Sequence, residues 1–188
     1  MDVDVPRRAS ILWGLVLASA YAVIGAVSIA SAQSAPAPIG SGNAPTTVLA
    51  HAAREIGISH CYDVISQVSE RVFDRSVRAD ILLDWQRTNP DVAPFFSLSG
   101  IEFPQSSALL SLVTVPDNTG GCSVLAERIS SAPLSCSQVA QSQLKGYNVT
   151  QLVRSVMVYT ESNRPRDVVV LVDTPPSCLI LRRQVQLR

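Results

Sequence analysis

The sequence predicts an α+β domain in which N-terminal helices pack on an antiparallel sheet of about five strands, with one inserted helix and disulfides stapling the whole. Three observations carry that expectation. Apolar residues between Thr46 and Val72 recur at helical spacing. From Ala108 onward they fall in β-branched runs parted by Gly, Pro and Asn, and four cysteines sit in a chain with an export leader.

In the leader, Arg7 and Arg8 precede the uncharged run Ile11 to Ala30, and Ala30-Ser-Ala32 follows. A basic flank, an apolar stretch and an Ala-x-Ala site make residues 1–32 an export signal cleaved after Ala32. As a helix the same run is about 30 Å long, the thickness of a bilayer core, so an uncleaved N-terminal membrane anchor is the alternative. Either way the arginines stay cytoplasmic and the rest lies outside. The expected location is periplasmic or secreted, or anchored in the inner membrane with the domain outside. Residues 33–45, rich in Ala, Pro, Ser and Gly and free of charge, form a flexible linker, and residues 46–188 a single globular domain.

Thr46 or Thr47 caps a first helix with Leu49, Ala52, Ala53 and Ile56 on its apolar side and Gly57 at its end. A second helix starts at Ser59 as N-cap, with Asp63 in its first turn and Cys61, Val64, Ile65, Val68 and Val72 on one face. Val77, Ile81 and Trp85 fit a third helix over Ser76 to Arg87, with Ile81-Leu82-Leu83 as the strand alternative, and Asn89-Pro90 ends it.

Ala108 to Val115 and Cys122 to Ile129 are β-like runs joined by Pro116-Asp-Asn-Thr-Gly-Gly121, a hairpin. Ser135 then caps a short helix from Cys136 that Gly146 closes. Leu152 to Tyr159, Asp167 to Val172 and Cys178 to Leu187 are strand candidates; Val168 to Val172, apolar on both faces, reads as central, and the last as half-exposed.

Cysteines in an exported chain imply disulfides among Cys61, Cys122, Cys136 and Cys178. The favoured pairing is Cys122 with Cys136 and Cys61 with Cys178; the alternative is Cys61 with Cys122 and Cys136 with Cys178. Gly121-Cys122 opening a strand, Ser135-Cys136 opening a helix and Ser177-Cys178-Leu-Ile-Leu-Arg-Arg resemble small exported bacterial proteins of unassigned function, over roughly the last 80 residues. That resemblance implies no activity and no catalytic residue.

Lys and Arg number 15, as do Asp and Glu, so bulk charge gives no reason to expect nucleic acid. Aromatic residues make up 5%, too few for a base-stacking platform. His60-Cys61-x-Asp63 gathers a base, a thiol and a carboxylate, but adjacent helical residues point about 100° apart, which suits a half-cystine better than a nucleophile. No spacing suggests a metal or a cofactor. The expectation is therefore a noncatalytic envelope domain that binds or scaffolds another envelope protein, as a secretion or surface accessory or an enzyme inhibitor. It touches membrane only through an uncleaved leader. The alternative is an exported enzyme with a non-contiguous site near Cys61.

Overall fold

The computed structural model describes residues 46–188. The leader and linker expectations, residues 1–32 and 33–45, lie outside the described residues.

Helices α1 (Val48–Glu55) and α2 (Tyr62–Phe73) lead into strands β1 (Arg78–Trp85), β2 (Phe95–Phe103), β3 (Ser106–Pro116) and β4 (Cys122–Ala132). Helix α3 (Cys136–Gln143) follows, then β5 (Asn148–Val153), β6 (Val156–Glu161), β7 (Arg164–Thr174) and β8 (Ser177–Gln186). All eight strands form one antiparallel sheet in the order β1-β2-β3-β4-β8-β7-β6-β5. The expected five-stranded sheet under N-terminal helices is thereby corrected: the sheet dominates, and three short helices lie on it.

Each missed strand has a physical reason. Ile81 and Trp85 are four apart, a spacing that serves a period of two as well as one of 3.6. Ala79, Ile81, Leu83 and Trp85 alternate in burial with Asp80, Leu82 and Asp84, so the expected helix over Ser76 to Arg87 is instead the strand Arg78–Trp85. Strand β2 lies outside every predicted element because its buried positions include Ser97 and Ser99 while Phe96 and Leu98 point the other way. The expected strand Leu152 to Tyr159 is instead a hairpin that turns at Arg154-Ser155, where a lone serine, without Gly, Pro, Asn or Asp, gives little turn signal. Strand β8 is paired on both sides, with β4 and β7, and stands at the centre of the sheet.

The helix ends follow local chemistry. Thr47 accepts a hydrogen bond from the Ala50 amide, and Gly57 takes the positive φ of 94° that ends α1. For α2 the N-cap is Cys61, not Ser59, and it makes no side-chain cap bond. Ser135 and Gln138 form a reciprocal capping box on α3. Between β3 and β4, Asp117 accepts from the amides of Thr119 and Gly121; a Cβ at Gly121 would collide with that carboxylate, which is why glycine stands there.

The disulfides are Cys61–Cys122 and Cys136–Cys178. The favoured pairings of Cys122 with Cys136 and Cys61 with Cys178 are corrected because β4 holds the first two apart: Cys122 opens the strand, which extends about 3.4 Å per residue, and Cys136 lies beyond its far end, at the start of α3. Cys178 pairs in the ladder with Ala132, at the end of β4 that leads into α3. With sequence separations of 61 and 42, loop-closure entropy makes each bridge worth about 4 kcal/mol.

These staples expose an internal repeat. Each half is a helix followed by a four-stranded meander, and each disulfide joins the start of the helix to the start of the fourth strand. Cys122 and Cys178 are 56 positions apart, and so are Glu127 and Arg183, which face each other directly across the β4–β8 ladder. An approximate dyad perpendicular to the sheet therefore passes between Glu127 and Arg183.

Candidate functional site

Alternation along the strands sorts side chains onto two faces. The helix face carries the cores: Leu49, Ile65, Phe95, Ile101, Leu110 and Leu112 are among the buried residues of the first half, and Val139, Leu144, Val169, Leu171 and Ile180 among those of the second. The ladder pairs Val124 with Gln186 and Ala126 with Gln184, so the inward residues of both halves lie on the same side.

Among the described residues no helix packs on the other side, yet it is apolar. An antiparallel sheet with one free face normally turns polar residues outward. Here Leu82, at 67% exposure, and Phe96, at 46%, stand with Leu98, Leu109 and Val115 on the free face of β1 to β3. Leu125 and Ile129 of β4, Leu179 and Leu181 of β8, and Val168, Val170 and Val172 of β7 continue it in half-buried positions. Strands β1, β2, β3, β4, β8 and β7 are contiguous and 8 to 11 residues long. Their free face spans on the order of 900 Å² at the usual strand spacing. Contiguous apolar patches on monomers seldom exceed a few hundred Å² without a function.

Asp84, Ser111, Ser123 and Ser131 stand singly on this face, and two larger features break it. Glu127 and Arg183 form a 2.6 Å ion pair at its middle, the glutamate 20% and the arginine 44% exposed. Towards β1 lies a shallow notch of about 560 Å³ beside Gly100, Leu109 and Ile129, rimmed by Arg78, Asp80 and Glu102. At Gly100 an added Cβ would meet nothing within 4 Å.

The structure redistributes the residues around Cys61. Cys61 is bonded to Cys122 and has no thiol to offer as a nucleophile. His60 Nδ1 lies 2.8 Å from Asp91, not from the Asp63 of the sequence pattern. The amides of Ser59 and His60 and the Ser59 hydroxyl donate to the same Asp91 carboxylate. Burial pushes that carboxyl up, but the Ser59 hydroxyl, the two amides and the His60 ring outweigh it and hold the pKa at about 2. Serine and histidine both engage the carboxylate, so the hydroxyl is not presented to the imidazole as a catalytic triad requires. The cluster is a tether that fixes the approach to α2. Among the described residues no group of three or more potential metal ligands gathers, and no helix is long and apolar enough to cross a membrane.

A groove of about 300 Å³ runs beside α2 and is lined in part by Arg71, Arg128, Tyr147 and Arg182. Arg128 and Arg182 oppose each other in the ladder, a repulsive register relieved by divergence. Arg128 stacks over Phe103 at 5.2 Å, while Arg182 donates to Gln143. Comparison with known proteins finds no matching family model, curated protein or solved structure.

The open face escaped the sequence reading although its signal was present. Val168 to Val172, apolar on both faces, reads as central, and β7 does lie between β6 and β8; the same pattern also marks a second apolar side, which no other described element covers.

Proposed function

We propose that this protein is a noncatalytic domain, displayed outside the cytoplasmic membrane, that binds or scaffolds another protein through the open face of its sheet. The apolar character of β2, β3, β4, β8 and β7 on the side that no helix among the described residues covers is the observation that supports this reading. Two disulfides are compatible with an oxidising compartment outside the cytoplasm. In this reading the helix face supplies rigidity and the open face supplies recognition.

Photoreactive side chains test it. Placed at Leu98 or Val170 of the exported protein in its intact envelope, they are expected to give one discrete protein adduct, while the same group at Gln141, on the exposed side of α3, gives none. Equal labelling from both faces, or no adduct from either, overturns the proposal.

A further inference from the structure

The centre of the open face indicates what covers it. Burying the Glu127–Arg183 pair under a purely apolar partner removes water from two charges and supplies nothing in exchange. A suitable partner brings an acid and a base of its own, spaced one strand apart, on an apolar surface of similar size. This protein is itself such a partner.

We propose that the open face is covered by a second copy of this chain, packed sheet against sheet about a dyad running along β4 and β8, with Glu127 of each copy over Arg183 of the other. The inference rests on the docking reading above and names the partner. Aligned sheets stack about 10 Å apart, and an in-plane dyad runs either along the central strands or across them. Across them, Glu127 meets Glu127 and Arg183 meets Arg183. Along them, each charge meets its opposite, so two intrachain pairs close into a ring of four alternating charges. The charge pattern thus selects one of the two arrangements.

Shape and area agree with the same dyad. Following the register outward from the centre, Gly100 in β2 lies in the row of Ile129, and the equivalent row on the other side runs through Leu181 and Val170 to Val158 in β6. The dyad therefore brings Val158 of one copy over Gly100 of the other, a β-branched side chain over the notch left by a glycine. The dyad lays β2 of one copy on β6 of the other and β3 on β7, so β2, β3, β4, β8, β7 and β6 of each copy contribute on the order of 900 Å² of sheet surface, against the roughly 800 Å² per partner of a stable interface.

The test is the mass of the exported protein, measured by light scattering on a sizing column. The expected result is twice the chain mass at micromolar concentration. Glu127→Arg and Arg183→Glu, each alone, set four like charges together and are expected to weaken self-association about 100-fold or more. Mixing the two variants faces two arginines with two glutamates, and a one-to-one heterodimer should form. Both reversals in one chain restore the alternating ring, so that double variant should dimerise with itself. Gly100→Trp, which fills the notch without touching the helix-side core, should also give a monomer with the wild-type melting temperature and thiols that stay unreactive until reduction. A wild-type monomer at about 50 μM, far above the Kd of a standard interface, overturns the inference, as do single variants that still dimerise or a mixture that does not. If the monomer nevertheless crosslinks through Leu98 or Val170 to a different protein, or to its own residues 1–45, the second copy is not the occupant. A different protein leaves the docking proposal standing, whereas capture of the chain's own N-terminal residues removes both.

Discussion

The first half of the domain lays two helices and a cluster of fourteen buried residues over β1 to β4, whereas the second lays one eight-residue helix and a cluster of six over β7 and β8. All six residues of β5 are exposed, and none of β6 is fully buried. Both halves share the plan of helix, meander and staple, so the comparison shows what happens to that plan when burial is reduced. The first half rests on apolar packing and a long-range tether through Asp91. The second rests more on its disulfide and on the local Ser135–Gln138 capping box.

The largest expected effect comes from the bridges. Replacing Cys136 and Cys178 together with serine should cost about 2–5 kcal/mol. It should also raise amide exchange in α3 and β5 to β7 well before the first half opens. The Cys61 and Cys122 double variant leaves Ile65 and Val68 holding α2 to the sheet, so its exchange should rise less. Uniform exchange in both variants would break the comparison.

Core truncation sharpens it further. Leu112→Ala, beneath the helices of the first half, is expected towards the upper end of the ~2–5 kcal/mol range for such changes, and Leu171→Ala towards the lower end, because a thinner cover relaxes more readily. Denaturant midpoints measure both, and equal losses would argue that the two cores are equally stiff.

Acid separates the halves more gently. Asp91 is held at about 2 against an ordinary 3.8, so the charged tether stabilises the folded protein above about pH 4, and that contribution is lost as pH falls towards 2. The capping box of the second half contains no titrating group. Melting temperature should therefore decline between pH 4 and 2, and Asp91→Asn should be less stable at neutral pH and lose part of that decline. An unchanged acid slope in the variant would contradict the assignment.

The smallest effect concerns buried hydroxyls of the first half. Thr114 is fully buried and its hydroxyl has no hydrogen-bond partner. Thr114→Val should be neutral or stabilising by up to about 1 kcal/mol, read as a rise in melting temperature. A loss larger than that would show that the hydroxyl is satisfied.

Where local chemistry and tertiary demand agree, the sequence is readable. Thr47, Gly57 and Ser135 mark helix ends because each satisfies or terminates backbone hydrogen bonding within a few residues. The Asp117 turn gave the β3–β4 hairpin for the same reason. Where they part, the reading fails. Ser97 and Ser99 point inward beneath helices from elsewhere in the chain, and nothing local distinguishes them from solvent-facing serines. The Arg154-Ser155 turn closes a hairpin through its flanking ladder rather than through its own residues. The open face was hidden more deeply, because a run such as Val168 to Val172 has the same composition whether its second side is covered by helices, by another sheet or by nothing. Cysteine oxidation was evident from type and context, but connectivity depended on the length of β4.

That connectivity bears on how the chain is made. The first cysteine joins the second and the third joins the fourth, with neither bridge crossing from one half to the other. For a polypeptide threaded N-terminus first into an oxidising space, thiols that pair in order of arrival reach the native arrangement without any later shuffling. Under the proposed export, the first half closes its bridge while Cys136 and Cys178 are still to emerge, and its β4 then waits as a finished template edge on which the last strand, β8, completes the sheet.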